Sequence, residues 1–486
     1  LASSVVSRVA GLGVLTGAGQ LLIIGTLPLY SRLFEPGIYG QYVIFIGAFT
    51  IASVLAGVRY DTAIVLPRAQ HLAAALSVLV LLIALVVSAL IAAATLVVSV
   101  LKLLPQHWPY AVRQFGYGLA VATTLGAVQR CLNAWCVRAG RFLLIGWGQF
   151  VFCLVTVLAQ LSLVSVLGQF PALVWGYVGA LGCQAVCLGA PVMREGGRIW
   201  PRAQGGRAMR IAARKYRRFP AYMVGYALAS SARDRLVQMM FGIGAGAAAV
   251  GRFGLAYRVT FAPNSLIYSA VSPVFYGIAS RSGKAAVGRF AAGLVEVTFV
   301  VLVVPYVAFA IEAPALSDAV LSEKWRGTGP YLQALAAPAL LLAATCWLDR
   351  AFDAFRRQNV AFSLEATFTV VAVASVAVLS KLISAVLVAW AFGALALLYY
   401  WVYFLVTFAA CGFDLAQFRR ACTSALVTLA SALLLGLLAH QIPSLAWRVP
   451  AYAAVMVLVI LLWAKARGGR DVLRLLIESR VHLSPR

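Results

Sequence analysis

Acidic residues are scarce in this sequence: fourteen aspartates and glutamates stand among 486 residues, and all charged types together make up only 11%. About 25% is usual for a soluble domain. With 63% hydrophobic residues and a mean hydropathy of +0.92, the chain holds more apolar surface than a soluble core can hide. It reads as an all-α polytopic membrane protein. Histidine is rarer still. His71, His107, His440 and His482 are scattered, no H-E-x-x-H occurs, and no catalytic triad can be assembled from them. A G-x-x-x-x-G-K-[ST] run is missing as well, which excludes a P-loop and ATP-driven transport within the chain. Outer loops are too short for a polymerase or ligase active site. A protein that moves something, not an enzyme, is expected, with no cofactor.

The eight cysteines fall mostly inside apolar stretches, where the thiol behaves as a small hydrophobe. Cys183 and Cys187 share a helix face but have no histidine nearby to complete a metal site. Neither disulfides nor a metal centre are expected. Ala2–Arg8 leads into a full-length apolar helix without an A-x-A-like site, so no cleavable signal peptide is expected either.

Apolar windows of about 20 residues are the unit of a membrane-spanning helix. About fourteen can be read. Six centre on Leu21, Phe49, Val86, Leu125, Leu154 and Gly182, and six more on Leu228, Ile267, Val303, Leu340, Val373 and Leu395. A final pair covers Thr423–Leu438 and Val449–Ala466. The formal charge of +26 would suggest nucleic acid in a soluble chain. Here the basic residues alternate with the windows instead: twenty-nine fall on one side and eight on the other. Arginine and lysine gather in loops that resist translocation, so both termini are expected in the cytoplasm, with no nucleic-acid partner.

The longest basic loop, 194–218, carries Gly196-Gly197, Pro201 and Gly205-Gly206 and reads as a flexible cytoplasmic linker. It separates an N-terminal six-helix bundle, 1–193, from a second, 219–411. Residues 412–486 add two helices and a basic tail. Tyr39-Gly40 opens the second helix and Phe253-Gly254 the eighth, an echo that suggests duplicated halves with a cavity between the bundles. The aromatic run Tyr399–Phe404 reads as an interfacial belt at a helix end. Glu296 reads as an interfacial acid paired with a loop arginine.

Three of the forty basic residues fall within the membrane windows: Arg233, Arg235 and Arg258. All are arginine. A charge near the bilayer centre costs about 2.5–3.5 kcal/mol on insertion scales, so it persists where it meets a cavity or a partner. Asp234 lies eight residues before Gly242 and Arg258 eight after Val250, which puts both about 12 Å below one surface at ~1.5 Å per residue. An Asp234–Arg258 ion pair is one reading of this pattern. Presentation of Arg233, Arg235 and Arg258 to an anionic substrate is the other, and the two are compatible. A guanidinium stays charged when desolvated and its planar fork matches two phosphate oxygens. At the cytoplasmic end of helix two, Val58-Arg59-Tyr60-Asp61 places a further arginine beside a carboxylate suited to an ion pair.

Several stretches resemble the Wzx-type polysaccharide flippases of the multidrug, oligosaccharidyl-lipid and polysaccharide exporter (MOP, MATE-like) superfamily. Leu27–Tyr42 is similar to their first-helix exit, and Arg59–Pro67 to the end of helix two in the polysaccharide-transport branch. Phe253–Arg258 followed by Pro263, Lys324-Trp325 and Arg357-Gln358 also match. The resemblance implies two six-helix bundles around a central cavity that works by alternating access in a bacterial inner membrane. The implied substrate is an undecaprenyl-pyrophosphate-linked oligosaccharide, moved to the periplasmic leaflet for O-antigen or exopolysaccharide assembly. Membrane lipids, a polysaccharide polymerase and a chain-length regulator are the implied partners. Arg59, Arg233, Arg235 and Arg258 would hold the pyrophosphate, with Asp61 and Asp234 as structural ion-pair residues. Coupling to an H+ or Na+ gradient stays open. Many Wzx-type members have twelve helices. The extra pair is shared with peptidoglycan-precursor flippases, which keeps that substrate as an alternative. A cation-coupled drug antiporter is another, although helix one carries none of the acid such chemistry uses.

Overall fold

The computed structural model describes residues 2–67, 69–101, 109–196, 206–217, 224–279 and 282–465. The middle of the basic linker, 197–205, and the tail, 466–486, lie outside the described residues. Eighteen α-helices and two short 3-10 turns make up the described chain, which forms a multi-pass membrane protein. Each of the fourteen apolar windows falls on a helix.

The chain divides into two compact units, Leu1–Gly254 and Leu255–Arg486. In the first, α1 (Ala2–Gly25) and α2 (Leu27–Leu33) meet at a 40° bend. Pro28 begins the second piece while the Thr26 hydroxyl donates back to the Leu22 and Ile23 carbonyls. There follow α3 (Pro36–Gly57), the single turn α4 (Tyr60–Ala63), α5 (Gln70–Val100), α6 (Pro109–Arg138), α7 (Phe142–Leu167) and α8 (Gln169–Gly196). Their core is rich in alanine: Ala56, Ala63, Ala73, Ala74, Ala75 and Ala127 are fully buried. Small side chains let helix backbones approach closely where lipid supplies no hydrophobic drive between helices.

The 206–217 part of the linker is not a flexible coil. It forms α9 (Gly206–Lys215), whose Ala208, Met209, Ala212 and Ala213, with Tyr216 just after it, pack into the alanine core beside α5. Arg210, Arg214 and Lys215 face outward. The glycines flanking this stretch masked its helical period.

α10 (Val224–Ala245) packs along α3, and only Gly246, at φ 90°, separates it from α11 (Ala247–Ala279). The boundary between the two units falls within α11. Where α3 and α11 cross, a Cβ on Gly40 would lie 1.9 Å from the Ala247 carbonyl oxygen, and one on Gly251 1.9 Å from that of Pro36. Gly254 likewise abuts Val43. Both members of the aromatic-glycine echo are therefore contact points of this one crossing.

The second unit continues with α12 (Lys284–Val320), α13 (Gly329–Thr345), α14 (Asp349–Ala354), α15 (Gln358–Leu382), α16 (Ala385–Cys411), α17 (Leu415–His440) and α18 (Leu445–Lys465). A 3-10 turn, Cys346–Leu348, breaks helix ten between α13 and α14. The aromatic run Tyr399–Phe404 lies mid-way along α16 and is not an interfacial belt. Tyr399, Tyr400 and Phe404 are buried, and Tyr399 stacks on Phe368 with ring centroids 3.9 Å apart.

The pair α17–α18 is fastened to α12 by two buried carboxylates. Glu312, 3% exposed, accepts from Arg448 Nη1 at 2.8 Å and Tyr452 OH at 2.9 Å, and lies 2.8 Å from His440 Nδ1. Glu296, 4% exposed, accepts from Ser424 Oγ at 2.6 Å and Trp463 Nε1 at 2.8 Å. Neither partner of Glu296 is a loop arginine. Burial explains the difference, because a carboxylate inside the helix packing takes its donors from the facing helices.

Among the described residues ten spans are long and apolar enough to cross a membrane, eleven with the α1–α2 pair counted as one. The other three windows lie on α6, α10 and α11, the helices that carry Arg130, Arg233 with Arg235, and Arg258. The inferred orientation has a direct check. A single cysteine at Ser282 in a cysteine-free background is expected to react with an impermeant maleimide only after permeabilisation, and one at exposed Lys324 in intact cells. Labelling of Ser282→Cys from outside would invert the topology.

Candidate functional site

The α3–α4 junction is held in an unusual backbone shape. Val58 and Arg59 have φ of 43° and 59°, two consecutive non-glycine residues in the left-handed region. Each such residue costs about 1–2 kcal/mol, so surrounding contacts have to fix it. The Thr62 hydroxyl donates to the Arg59 carbonyl at 2.7 Å, and the Thr62 N–H donates to Asp61 Oδ1 at 3.0 Å. Tyr60 OH donates to the Ala213 carbonyl of α9 at 3.3 Å.

Asp61, its side chain 8% exposed, lies 3.1 Å from Arg130 Nε of α6. That N–H is not aimed at the oxygen, so the contact is an ionic approach and not an aligned hydrogen bond. Arg130 Nη2 donates to the Ser53 carbonyl at 3.0 Å. Two guanidiniums, Arg59 and Arg130, thus accompany one carboxylate at the end of α3. Asp61 pairs with Arg130 and leaves Arg59 without an ion pair among the described residues, its Nε buried and making no hydrogen bond. Among the basic residues of the charge alternation, Arg130 falls at the edge of the window centred on Leu125, where it reads as a cytoplasmic-loop residue. Its place within the helical stretch of α6, followed by Cys131 and Leu132, is the signal that it lies inside the helix packing.

On α10 the three consecutive charges divide as a helix requires, since neighbours point ~100° apart. Arg233 is 7% exposed and its Nε donates to Asp234 Oδ1 at 2.9 Å. Arg235 is half-buried, its Cβ 3.5 Å from the place a Cβ on Gly47 of α3 would occupy. Its Nη1 donates to Oε1 of the buried Gln238 at 3.1 Å. Among the described residues no carboxylate pairs with Arg235. This helix therefore retains a positive charge whose partner is a neutral amide, available to an anion. Arg258 lies half-buried on α11 and belongs to the second unit, whereas Arg59, Arg233 and Arg235 belong to the first.

The second unit has its own polar cluster at the break in helix ten. Arg350 donates to Tyr268 OH at 2.6 Å, Ser272 Oγ at 2.9 Å and Asp353 Oδ2 at 3.1 Å, while Tyr268 OH donates to Asp349 Oδ2 at 2.8 Å. The guanidinium sits between two carboxylates: it hydrogen-bonds Asp353, while Asp349 Oδ1 lies 3.9 Å from Nε, buried and without a hydrogen bond among the described residues. Elsewhere in this unit, α12, α13, α16 and α17 enclose an open cavity of about 660 Å³ with almost wholly apolar walls, among them Phe299, Leu340, Leu397, Trp401, Leu426 and Leu433. It suits a hydrocarbon chain and offers nothing to a polar ligand.

Neither a protein-family model nor a curated protein sequence matches the chain. Solved structures do match in shape. A lipid II flippase, MurJ, in an inward closed conformation superposes with a TM-score of 0.71 at 10% identity, covering 95% of this chain and 99% of that one. A MATE transporter in complex with MaL6 gives 0.57 at 13% identity over 84% and 96% of the two chains. A Vibrio cholerae MATE transporter gives 0.53 at 17% identity over 82% and 96%. The polytopic all-helical fold of this chain is thus the one seen in the MurJ flippase and the MATE transporters of the MOP superfamily.

Proposed function

We propose that this protein is a flippase that moves an oligosaccharide linked to undecaprenyl pyrophosphate from the cytoplasmic to the periplasmic leaflet by alternating access. The observation that carries this reading is Arg235, a membrane-helix guanidinium whose charge is met by an amide instead of a carboxylate. Such a group attracts an anion and repels the cations a drug antiporter exports. Arg59, equally free of an ion pair among the described residues, adds a second anion contact in the same unit. The apolar cavity supports a substrate with a long hydrocarbon tail. Surface polysaccharide assembly is the process this serves, with a polymerase and chain-length regulator acting on the product.

One observation favours a second reading. The MurJ match extends over 95% of the chain, against 82–84% for the MATE structures reported above, so the peptidoglycan precursor stays as the rival substrate. Both substrates share the prenyl pyrophosphate and differ in the sugar. Purified protein in proteoliposomes, given fluorescent prenyl-pyrophosphate oligosaccharide, lipid II or a cationic dye, separates the readings. Movement of the oligosaccharide lipid is expected, with lipid II slower and the dye untouched. Gradient-driven dye transport without movement of either lipid would overturn the proposal.

A further inference from the structure

A second cavity, of about 320 Å³, opens between α12, α17 and α18 and differs from the apolar one in its chemistry. Its walls include Glu296, Arg420, Ser424, Thr428, Ser431 and Trp463. Spacings of four, four and three along α17 from Arg420 to Ser431 put these groups in one row on a helix face. Both hydrogen bonds to Glu296 arrive at Oε1, and among the described residues Oε2 receives none. The hydroxyls have already spent their protons: Thr428 donates to the Ser424 carbonyl at 2.8 Å, Ser431 to that of Val427 at 2.9 Å, and Ser424 to Glu296. Toward the cavity they offer lone pairs only. Within a wall otherwise formed by Val427, Val459, Leu462 and Trp463, the polar groups are therefore acceptors around one carboxylate oxygen, which calls for a ligand with N–H donors and positive charge. One helical turn away at the rim stands Arg420, an exposed guanidinium suited to a phosphate.

We propose that this cavity binds the headgroup of a phospholipid carrying both a phosphate and a primary ammonium, the phosphoethanolamine class, with the ammonium on Glu296 and the phosphate at Arg420. Arg420 lies one helical turn, ~5.4 Å, along α17 from Ser424, the donor to Glu296, a spacing on the scale of the two-carbon link between the headgroup charges. A trimethylammonium cannot donate to the acceptors, and a headgroup without an amine brings its negative charge against Glu296. For the same reason a pyrophosphate is excluded, so this site is separate from the transported substrate and does not rest on the transport reading.

Native mass spectrometry of the full-length protein, delipidated and titrated with phosphatidylethanolamine, phosphatidylcholine or phosphatidylglycerol of matched chains, tests the assignment. Phosphatidylethanolamine is expected to bind roughly tenfold more tightly than the other two, the order of one charge-assisted hydrogen bond. Glu296→Gln, which still accepts from Ser424 and Trp463, should erase that preference. Ser431→Leu fills the cavity without touching the Glu296 hydrogen bonds and should also erase it, which keeps the test open if the first variant folds poorly. Equal binding of all three lipids, preference for phosphatidylglycerol, or an unaltered preference in the folded variants would each overturn the proposal.

Discussion

Arg235→Ala is expected to lower transport of a lipid-linked pyrophosphate by about 10- to 100-fold while membrane abundance stays near normal. The loss corresponds to one charge-assisted contact, roughly 1.5–3 kcal/mol. Abundance should hold because no carboxylate among the described residues is stranded by the change, and the Gln238 amide loses a single donor. Arg235→Lys should recover part of the activity. Lysine restores a charge but not the planar fork, and it sheds its proton more readily when desolvated. Arg59→Ala should behave like Arg235→Ala. Arg233→Ala should differ: Arg233 is 7% exposed and bonded to Asp234, so its removal takes a partner from a membrane carboxylate and lowers abundance as well as transport. Arg258→Ala puts the membrane arginine of the second unit to the same test. The readouts are lipid movement in proteoliposomes and protein level in membranes. Full transport by well-expressed Arg59→Ala, Arg235→Ala and Arg258→Ala proteins would remove these arginines from the substrate's path.

The α3–α11 crossing should tolerate no side chain at two of its glycines. Gly40→Ala and Gly251→Ala each place a Cβ 1.9 Å from a carbonyl oxygen of the facing helix, and backbone cannot move aside as a flexible side chain would. Separating the helices forfeits the packing along the crossing, a cost of about 3 kcal/mol or more for an overpacked core. Gly37→Ala is the control, since a Cβ there meets nothing within 4 Å. Its expected effect is a gain of about 0.5–1 kcal/mol from reduced chain entropy in a helix. Thermal melting followed by size-exclusion chromatography in detergent separates these outcomes. Equal melting temperatures for Gly40→Ala and Gly37→Ala would show that the helices do not meet here.

Membrane helices announce themselves in a sequence because each needs a run of apolar residues, and for that reason all fourteen windows lie on helices. What joins the helices is another matter. Asp61 and Arg130 are sixty-nine residues apart, Glu312 and Tyr452 one hundred and forty, and no local pattern connects them. The Tyr399–Phe404 run shows why depth is hard to read: aromatics suit both an interface and a core, and only the facing Phe368 decides. The helix α9 was hidden for the opposite reason, its four inward residues being three alanines and a methionine, preceded by glycines. The aromatic-glycine echo was visible, yet its meaning as two halves of a single crossing needed three dimensions. Of the candidate site, the arginines stood out by their cost in lipid. The assignment of Asp61 to Arg130, which frees Arg59, did not.

The two carboxylates of α12 bear on how this architecture is inherited. Glu296 and Glu312 lie sixteen residues apart, about 24 Å along the helix at ~1.5 Å per residue, and each accepts hydrogen bonds from side chains of α17 and α18. In a descendant that lost the last two helices, both acids would face acyl chains, each at a cost of about 2.5–3.5 kcal/mol when near the bilayer centre. An ancestor that gained the helices before the acids would have had Arg448 and His440 without their anion. The helix pair and the two glutamates are therefore expected to be inherited together. Twelve-helix relatives of this chain should carry apolar residues at the positions of Glu296 and Glu312, and fourteen-helix relatives that lose one acid should lose its donors with it.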